Sequence, residues 1–312
     1  MPAGPRPAAG EAPRVPADPR EILEKVRHIE IRTQRLAQET LAGQYHSVFK
    51  GRGIDFEEVR EYVPGDEIRS IDWNVTARTG RPFVKKFREE RELTIVLVVD
   101  LSASGHFGSA AQTKREIAAE VAAVLAFSAI RNNDKVALVL FTDEVEHYVP
   151  AGKGRAHVLR IVRDILYFAP ARRGTDVARA LEFTTRVLHR RAVVFLVSDF
   201  LVPLDDPDLR RKLDIASRRH DLVGVRVSDP RERELPDVGR VAIEDAECGE
   251  QVEVDTSDPS FRAAYARLAT ERRAAVLHRL RSAGLDTLEL DTTLSYMPAL
   301  QRFFRQRAAR RR

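Results

Sequence analysis

Asp100, Ser102 and Ser104 stand at alternate positions where the apolar run LTIVLVVD ends. In an extended or looping chain, alternate side chains point the same way, so one carboxylate and two hydroxyls converge. Oxygen donors of this kind suit a hard cation, since Mg2+ takes about six oxygens near 2.1 Å and keeps some of its water. Two more oxygen side chains occur in suggestive places: Thr175, in the loop of RRGTDVARAL ahead of a helix, and Asp199, which closes a second apolar run, AVVFLVSD. The expectation is a metal site of Asp100, Ser102, Ser104, Thr175 and Asp199 holding Mg2+, with Mn2+ as the alternative. The competing reading is that Asp100 and the serines merely cap the following helix.

Other chemistry finds less support. His106 lies four residues beyond Ser102, but no third residue is evident to orient it for nucleophilic catalysis. AGKGRAH at 151–157 lacks the G-x-x-x-x-G-K-[ST] spacing of a phosphate loop and reads as a basic turn. H-E-x-x-H is absent and the eight histidines are scattered, which argues against a zinc hydrolase.

The elements that must position these residues alternate between apolar strands and amphipathic helices. LTIVLVVD (93–100), KVALVLF (135–141), AVVFLVSD (192–199), LVGVRVSD (222–229) and LDTLEL (285–290) read as strands. VEHYVP (145–150) reads as a partner of the second. Helices are expected near 113–131, 155–168, 176–190, 205–219 and 259–282, the first with Ile117, Val121, Val124, Leu125 and Ser128 on one face. VGRVAIEDAECGEQVEVDT reads as a hairpin turning at Cys248 to Glu250. Strands apolar on both faces and separated by helices imply an α/β fold, a doubly wound, mostly parallel, Rossmann-like sheet whose ligands sit at the carboxyl ends of the strands. Asp100 and Asp199 both lie at such ends.

Ahead of this unit, Pro19 to about Leu41 reads as a helix capped by Asp18, and residues 51–92 as loops and strands forming a small N-terminal β-containing collar. Residues 1–18, rich in proline and alanine, offer nothing to bury and read as a disordered tail.

D-x-S-x-S followed by a distant Thr and a distant Asp resembles the metal-ion-dependent adhesion site of von Willebrand factor A domains. REYVPGDEIRSIDWNVTAR, followed by VVDLSASGHFGS, GTD and SDF, narrows the resemblance to the bacterial "domain of unknown function 58" family over roughly residues 20–300. The resemblance implies a von Willebrand factor A-like domain over 93–300, between a helix and collar (19–92) and a basic C-terminal tail (301–312). It implies that Ser102, Ser104 and Thr175 bind the cation directly, that Asp100 and Asp199 act partly through water, and that the open position takes a carboxylate from another protein. It further implies a non-enzymatic adaptor or co-chaperone working with a MoxR-type AAA+ ATPase in protein maturation or complex assembly. The alternative is a metal-dependent hydrolase of phosphate esters, for which a proton acceptor is missing. Arg60, Tyr62, Pro64, Gly65, Asp66, Arg69, Asp72 and Trp73 match the family's collar pattern, and packing and ion pairing of the collar against the sheet is the expected reason, with partner docking the other.

Composition sets the outer limits. The chain has 312 residues, 43% hydrophobic and 32% charged, with no apolar stretch of membrane-spanning length and no secretory signal, so a cytoplasmic location is expected. The single cysteine, Cys248, excludes an intramolecular disulfide and a Cys-rich zinc site. The six arginines of the last eleven residues exceed the whole net charge of +5, so the basicity belongs to a frayed, solvated tail, and no nucleic-acid-binding signature accompanies it.

Overall fold

In the computed structural model the described residues are 19–36, 45, 48–49, 55–88, 92–109, 111–203 and 205–310. The proposed N-terminal tail and the Asp18 cap lie outside them. The first helix, α1, spans Pro19–Leu36. The collar follows as an antiparallel pair, β1 (Asp55–Glu61) and β2 (Phe83–Arg88), enclosing a short helix, α2 (Trp73–Thr79). That helix departs from the expected loops and strands. Its start is set by Asp72, whose carboxylate accepts from the N–H groups of Asn74 (3.0 Å) and Val75 (3.3 Å), and its end by Gly80 at φ 70°.

The rest of the chain alternates as expected: β3 (Thr94–Asp100), α3 (Lys114–Arg131), β4 (Lys135–Phe141), β5 (Val145–Gly152), α4 (Arg155–Tyr167), α5 (Val177–Val187), β6 (Val193–Ser198), α6 (Pro207–Arg219), β7 (Asp221–Ser228), the hairpin β8 (Arg240–Glu244) and β9 (Gln251–Asp255), α7 (Pro259–Ser282), β10 (Asp286–Asp291) and α8 (Tyr296–Arg310). Six strands form one sheet in the order β10-β7-β6-β3-β4-β5, parallel except for β5, which runs antiparallel to β4 at the edge. The doubly wound α/β expectation is met.

Alternation along β3 assigns the two faces. Ile95, Leu97 and Val99 enter a core shared with α1, α3, α4 and α8, whereas Val96 and Val98 enter one shared with α5, α6 and α7. With both faces covered, β3, β4 and β6 have no polar face, which is why each reads as a continuous apolar run.

Two further expectations need correction. Helix α3 is buried nearly all round instead of on one face, because α1 lies over its outer side. Lys25 of α1 pairs with Glu116, and Arg32 reaches Glu120 at 3.4 Å. The basic C-terminal tail from 301 is instead the body of α8, which buries Tyr296, Leu300, Phe303 and Phe304. Arg307 there is only 4% exposed. It pairs with Asp221 and with Asp286 (3.2 Å), and its guanidinium lies over the Phe49 ring at 4.8 Å.

Candidate metal centre

The site forms where the sheet reverses its winding. From β3 the chain adds β4 on one side, then returns to place β6 on the other, so the carboxyl ends of β3 and β6 splay around a crevice. Val99 is in register with Val197, which sets the end of β3 beside the Ser198-Asp199 pair that ends β6. Leu101 keeps one last ladder-like hydrogen bond, to the Phe141 carbonyl (2.8 Å), before the chain turns into a single 3-10 turn over Ala103–His106.

Asp100 is half-buried at the mouth of this crevice. One carboxylate oxygen accepts from the Ser102 N–H (2.9 Å) and the other from the Ser198 hydroxyl (2.7 Å), both uncharged groups. Desolvation, and then the nearby charge of Asp199, push its carboxyl up to about 7. The Ser102 and Ser104 hydroxyls stand 3.0 Å apart. Asp100, Ser102, Ser104 and Asp199 line one cavity of about 20 Å3, room for one water or a small ion, and Lys114 and Arg115 form part of the same wall.

Asp199 differs from Asp100 in having a resident cation. Burial alone would raise its carboxyl, but the ammonium of Lys114, 2.6 Å away, and the Leu201 N–H (3.0 Å) hold it below the usual carboxylate range. Lys114 is itself buried, and its two anionic partners, Asp199 and Glu232, outweigh desolvation and raise its pKa. Its place is fixed by the start of α3, where Thr113 and Glu116 form a reciprocal capping box. Just beyond Asp199 the backbone passes through Phe200 at φ 57°, a left-handed conformation that costs a bulky residue of the order of 1 kcal/mol. Complete burial of the Phe200 ring and the bond from its N–H to Ser198 Oγ (3.0 Å) hold it there.

Thr175 arrives by a different route. Ala103 N–H donates to the Arg173 carbonyl (3.0 Å), which ties the loop before α5 to the D-x-S-x-S turn. Thr175 does not line the cavity, and its hydroxyl donates to Glu247 Oε1 (2.8 Å) at the tip of the β8–β9 hairpin. The structure thus gathers four of the five expected residues around one cavity and sets the fifth beside an acid. Sequence reasoning missed Ser198, Lys114, Glu232 and Glu247. Only Ser198 left a signal, as the serine directly before a strand-ending aspartate.

His106 faces Arg115 Nη1 at 3.5 Å instead of an orienting carboxylate, and desolvation followed by the Arg115 charge lowers its pKa. In the 151–157 turn, Lys153 is engaged by Glu92 and by Asn133 (2.8 Å), in keeping with a basic turn. Among the described residues there is no group of three or more His, Cys, Asp and Glu able to hold a metal, so a cation here would rest on hydroxyls as much as on carboxylates.

The family described as "Protein of unknown function DUF58" matches residues 58–275. This chain is a member of the DUF58 family. Two proteins named as uncharacterized, Mb1516 of Mycobacterium bovis and Rv1480 of Mycobacterium tuberculosis, are each 35% identical to it over 297 residues, covering 95% of this chain and 92% of theirs. Among solved structures, BatB of Bacteroides thetaiotaomicron is similar over 70% of the DUF58 chain and 99% of its own length at 14% identity and a TM-score of 0.44. An aerotolerance-related membrane protein of Bacteroides fragilis gives 70%, 99%, 13% and 0.46 in the same terms. A mussel byssus protein, proximal thread matrix protein 1, solved with a zinc-occupied MIDAS motif, covers 44% of this chain and 38% of its own at 14% identity and a TM-score of 0.35. No helix among the described residues of the DUF58 chain is long and apolar enough to cross a membrane.

Proposed function

We propose that this protein is a non-enzymatic adaptor that holds a divalent cation, Mg2+ or Mn2+, at the β3–β6 crevice and uses it to grip an acidic side chain of another protein. The observation that carries this reading is Asp100: a recessed carboxylate served by a backbone N–H and serine hydroxyls, with no cation of its own, beside the paired hydroxyls of Ser102 and Ser104 and a cavity of ionic size. Such a donor set fits a hard cation and lacks the soft ligands zinc prefers. Asp100, Ser102 and Ser104 would hold the ion, Asp199 would reach it through water, and Thr175 would approach from its loop. A bound cation would supply an electrophilic point with an open position for an external carboxylate. Asp199 already shares its charge with Lys114, so the site brings little net negative charge and an outside anion is welcome.

The partner we assign is a MoxR-type AAA+ ATPase, with a client protein offering the acid, the pair acting in protein maturation or assembly. The motif resemblance carried by REYVPGDEIRSIDWNVTAR, VVDLSASGHFGS, GTD and SDF is what suggests this partner. The test is calorimetric titration of Mg2+ and Mn2+ into the protein and into Asp100→Ala, with and without a MoxR-type ATPase. Saturable binding that is lost in the variant and tightens with the ATPase is the expected result. Equal behaviour of the two proteins removes the metal-bridged adaptor.

A further inference from the structure

The β8–β9 hairpin stands apart from the six-stranded sheet and is exposed along nearly its whole length, Ile243 and Val252 included. A two-stranded ribbon with so little burial is marginally stable alone, so its position depends on its fastenings. At the base, Thr256 bridges the Gly239 carbonyl (2.7 Å) and the Val238 N–H (3.0 Å), while Arg262 holds the Thr256 carbonyl and Asp237. At the tip, Asp245 accepts from the N–H groups of Glu247 (2.8 Å) and Cys248 (3.2 Å), and Gly249 closes the turn at φ 74°. This tightly made turn aims one carboxylate, Glu247, at the main body, where it takes the Thr175 hydroxyl from 72 residues away in sequence. Its carboxylate also feels the charges of Asp199 and Lys114, and burial followed by the Asp199 charge raises its pKa.

The ammonium of Lys114 already offsets Asp199, and Glu247 stands instead against the hydroxyl of Thr175, the one expected metal ligand that the cavity lining leaves out. We infer that Glu247 is this chain's own acidic ligand for the candidate metal centre, occupying the position that the adaptor reading reserves for a partner's carboxylate. The inference rests on that reading. It makes the hairpin an internal stand-in: when the tip is docked the cation is satisfied from within the chain, and an acidic partner gains access only as the tip lifts. The fastening is suited to such exchange, because the hairpin base is held by several polar contacts whereas the tip meets the loop through the Glu247–Thr175 hydrogen bond.

The test uses Mn2+ as the probe, with the full chain, reading affinity by electron paramagnetic resonance and bound-water number by water-proton relaxation. Wild type should bind one Mn2+. Glu247→Gln should bind it about tenfold more weakly, with one more exchangeable water on the ion, since a charged ligand has been removed and water has replaced it. Glu250→Gln, on the same tip, should match wild type in both readings. If Glu247→Gln matches wild type while Asp100→Ala binds nothing, the internal ligand is overturned and the metal centre stands. If Glu250→Gln repeats the effect of Glu247→Gln, the tip acts through long-range charge and ligation is overturned. If wild type and Asp100→Ala bind alike, or neither binds, the metal centre and the internal ligand fail together.

Discussion

At the scale of single residues the two aspartates of the crevice are opposites. Asp199 has a cation of its own in Lys114, whereas Asp100 has only neutral donors and is pushed up to about 7. An acid with a raised folded pKa keeps its proton over a range in which the unfolded chain has lost it. Its favourable contribution is complete below the unfolded value of about 4 and is lost as pH rises through about 7. In chelator-treated protein, stability should therefore fall between pH 5 and pH 7.5, and Asp100→Asn should flatten that slope, as measured by urea denaturation at the two pH values. Lys114 makes the complementary case. Removing its charge in Lys114→Met leaves Asp199 and Glu232 without their cation, and the loss expected for breaking a buried pair from one side is about 3–5 kcal/mol. Denaturant midpoints of the variant and wild type check this figure.

At the scale of elements, the sequence disclosed strands better than it disclosed what covers them. β3, β4 and β6 were legible because strands buried on both faces contain no polar interruption. The all-round burial of α3 was not, since its outer face contacts α1, whose ion pairs with it join positions about 90 residues apart. Residues 301–312 read as a tail because arginines dominate their composition, yet Phe303 and Phe304 enter the core and Arg307 satisfies Asp221 and Asp286. Phe304 is fully buried, and Phe304→Ala should cost about 3–5 kcal/mol. The collar errs in the other direction. Arg60 and Asp66 of its motif bind each other through two bonds (2.8 and 2.7 Å), and Asp72 caps α2, but Trp73 is 66% exposed where packing was expected. The side chain of Arg69 lies outside the described residues. Trp73→Ala should accordingly leave the melting temperature near that of wild type, against a clear drop for Phe304→Ala in the same calorimetric scan.

At the scale of the whole molecule, the part of the site legible from sequence was the part that follows from strand ends. Asp100, Ser102, Ser104 and Asp199 converge because β3 and β6 are neighbours at the reversal of the sheet. The counter-charges are supplied by residues whose types and spacing carry no signal: Lys114 on a helix start, Glu232 on a turn after β7, and Glu247 on a hairpin inserted between β7 and α7. The same strand order has a consequence in time. Asp100 and Ser198, which hydrogen-bond across the crevice, are 98 residues apart. At a synthesis rate of about 5–20 residues per second, Asp100 leaves the ribosome about 5–20 s before the strand that completes its surroundings. For that interval the central strand of the sheet lacks one of its two neighbours, so the nascent chain carries an apolar edge open to mispairing until β6 arrives to close it.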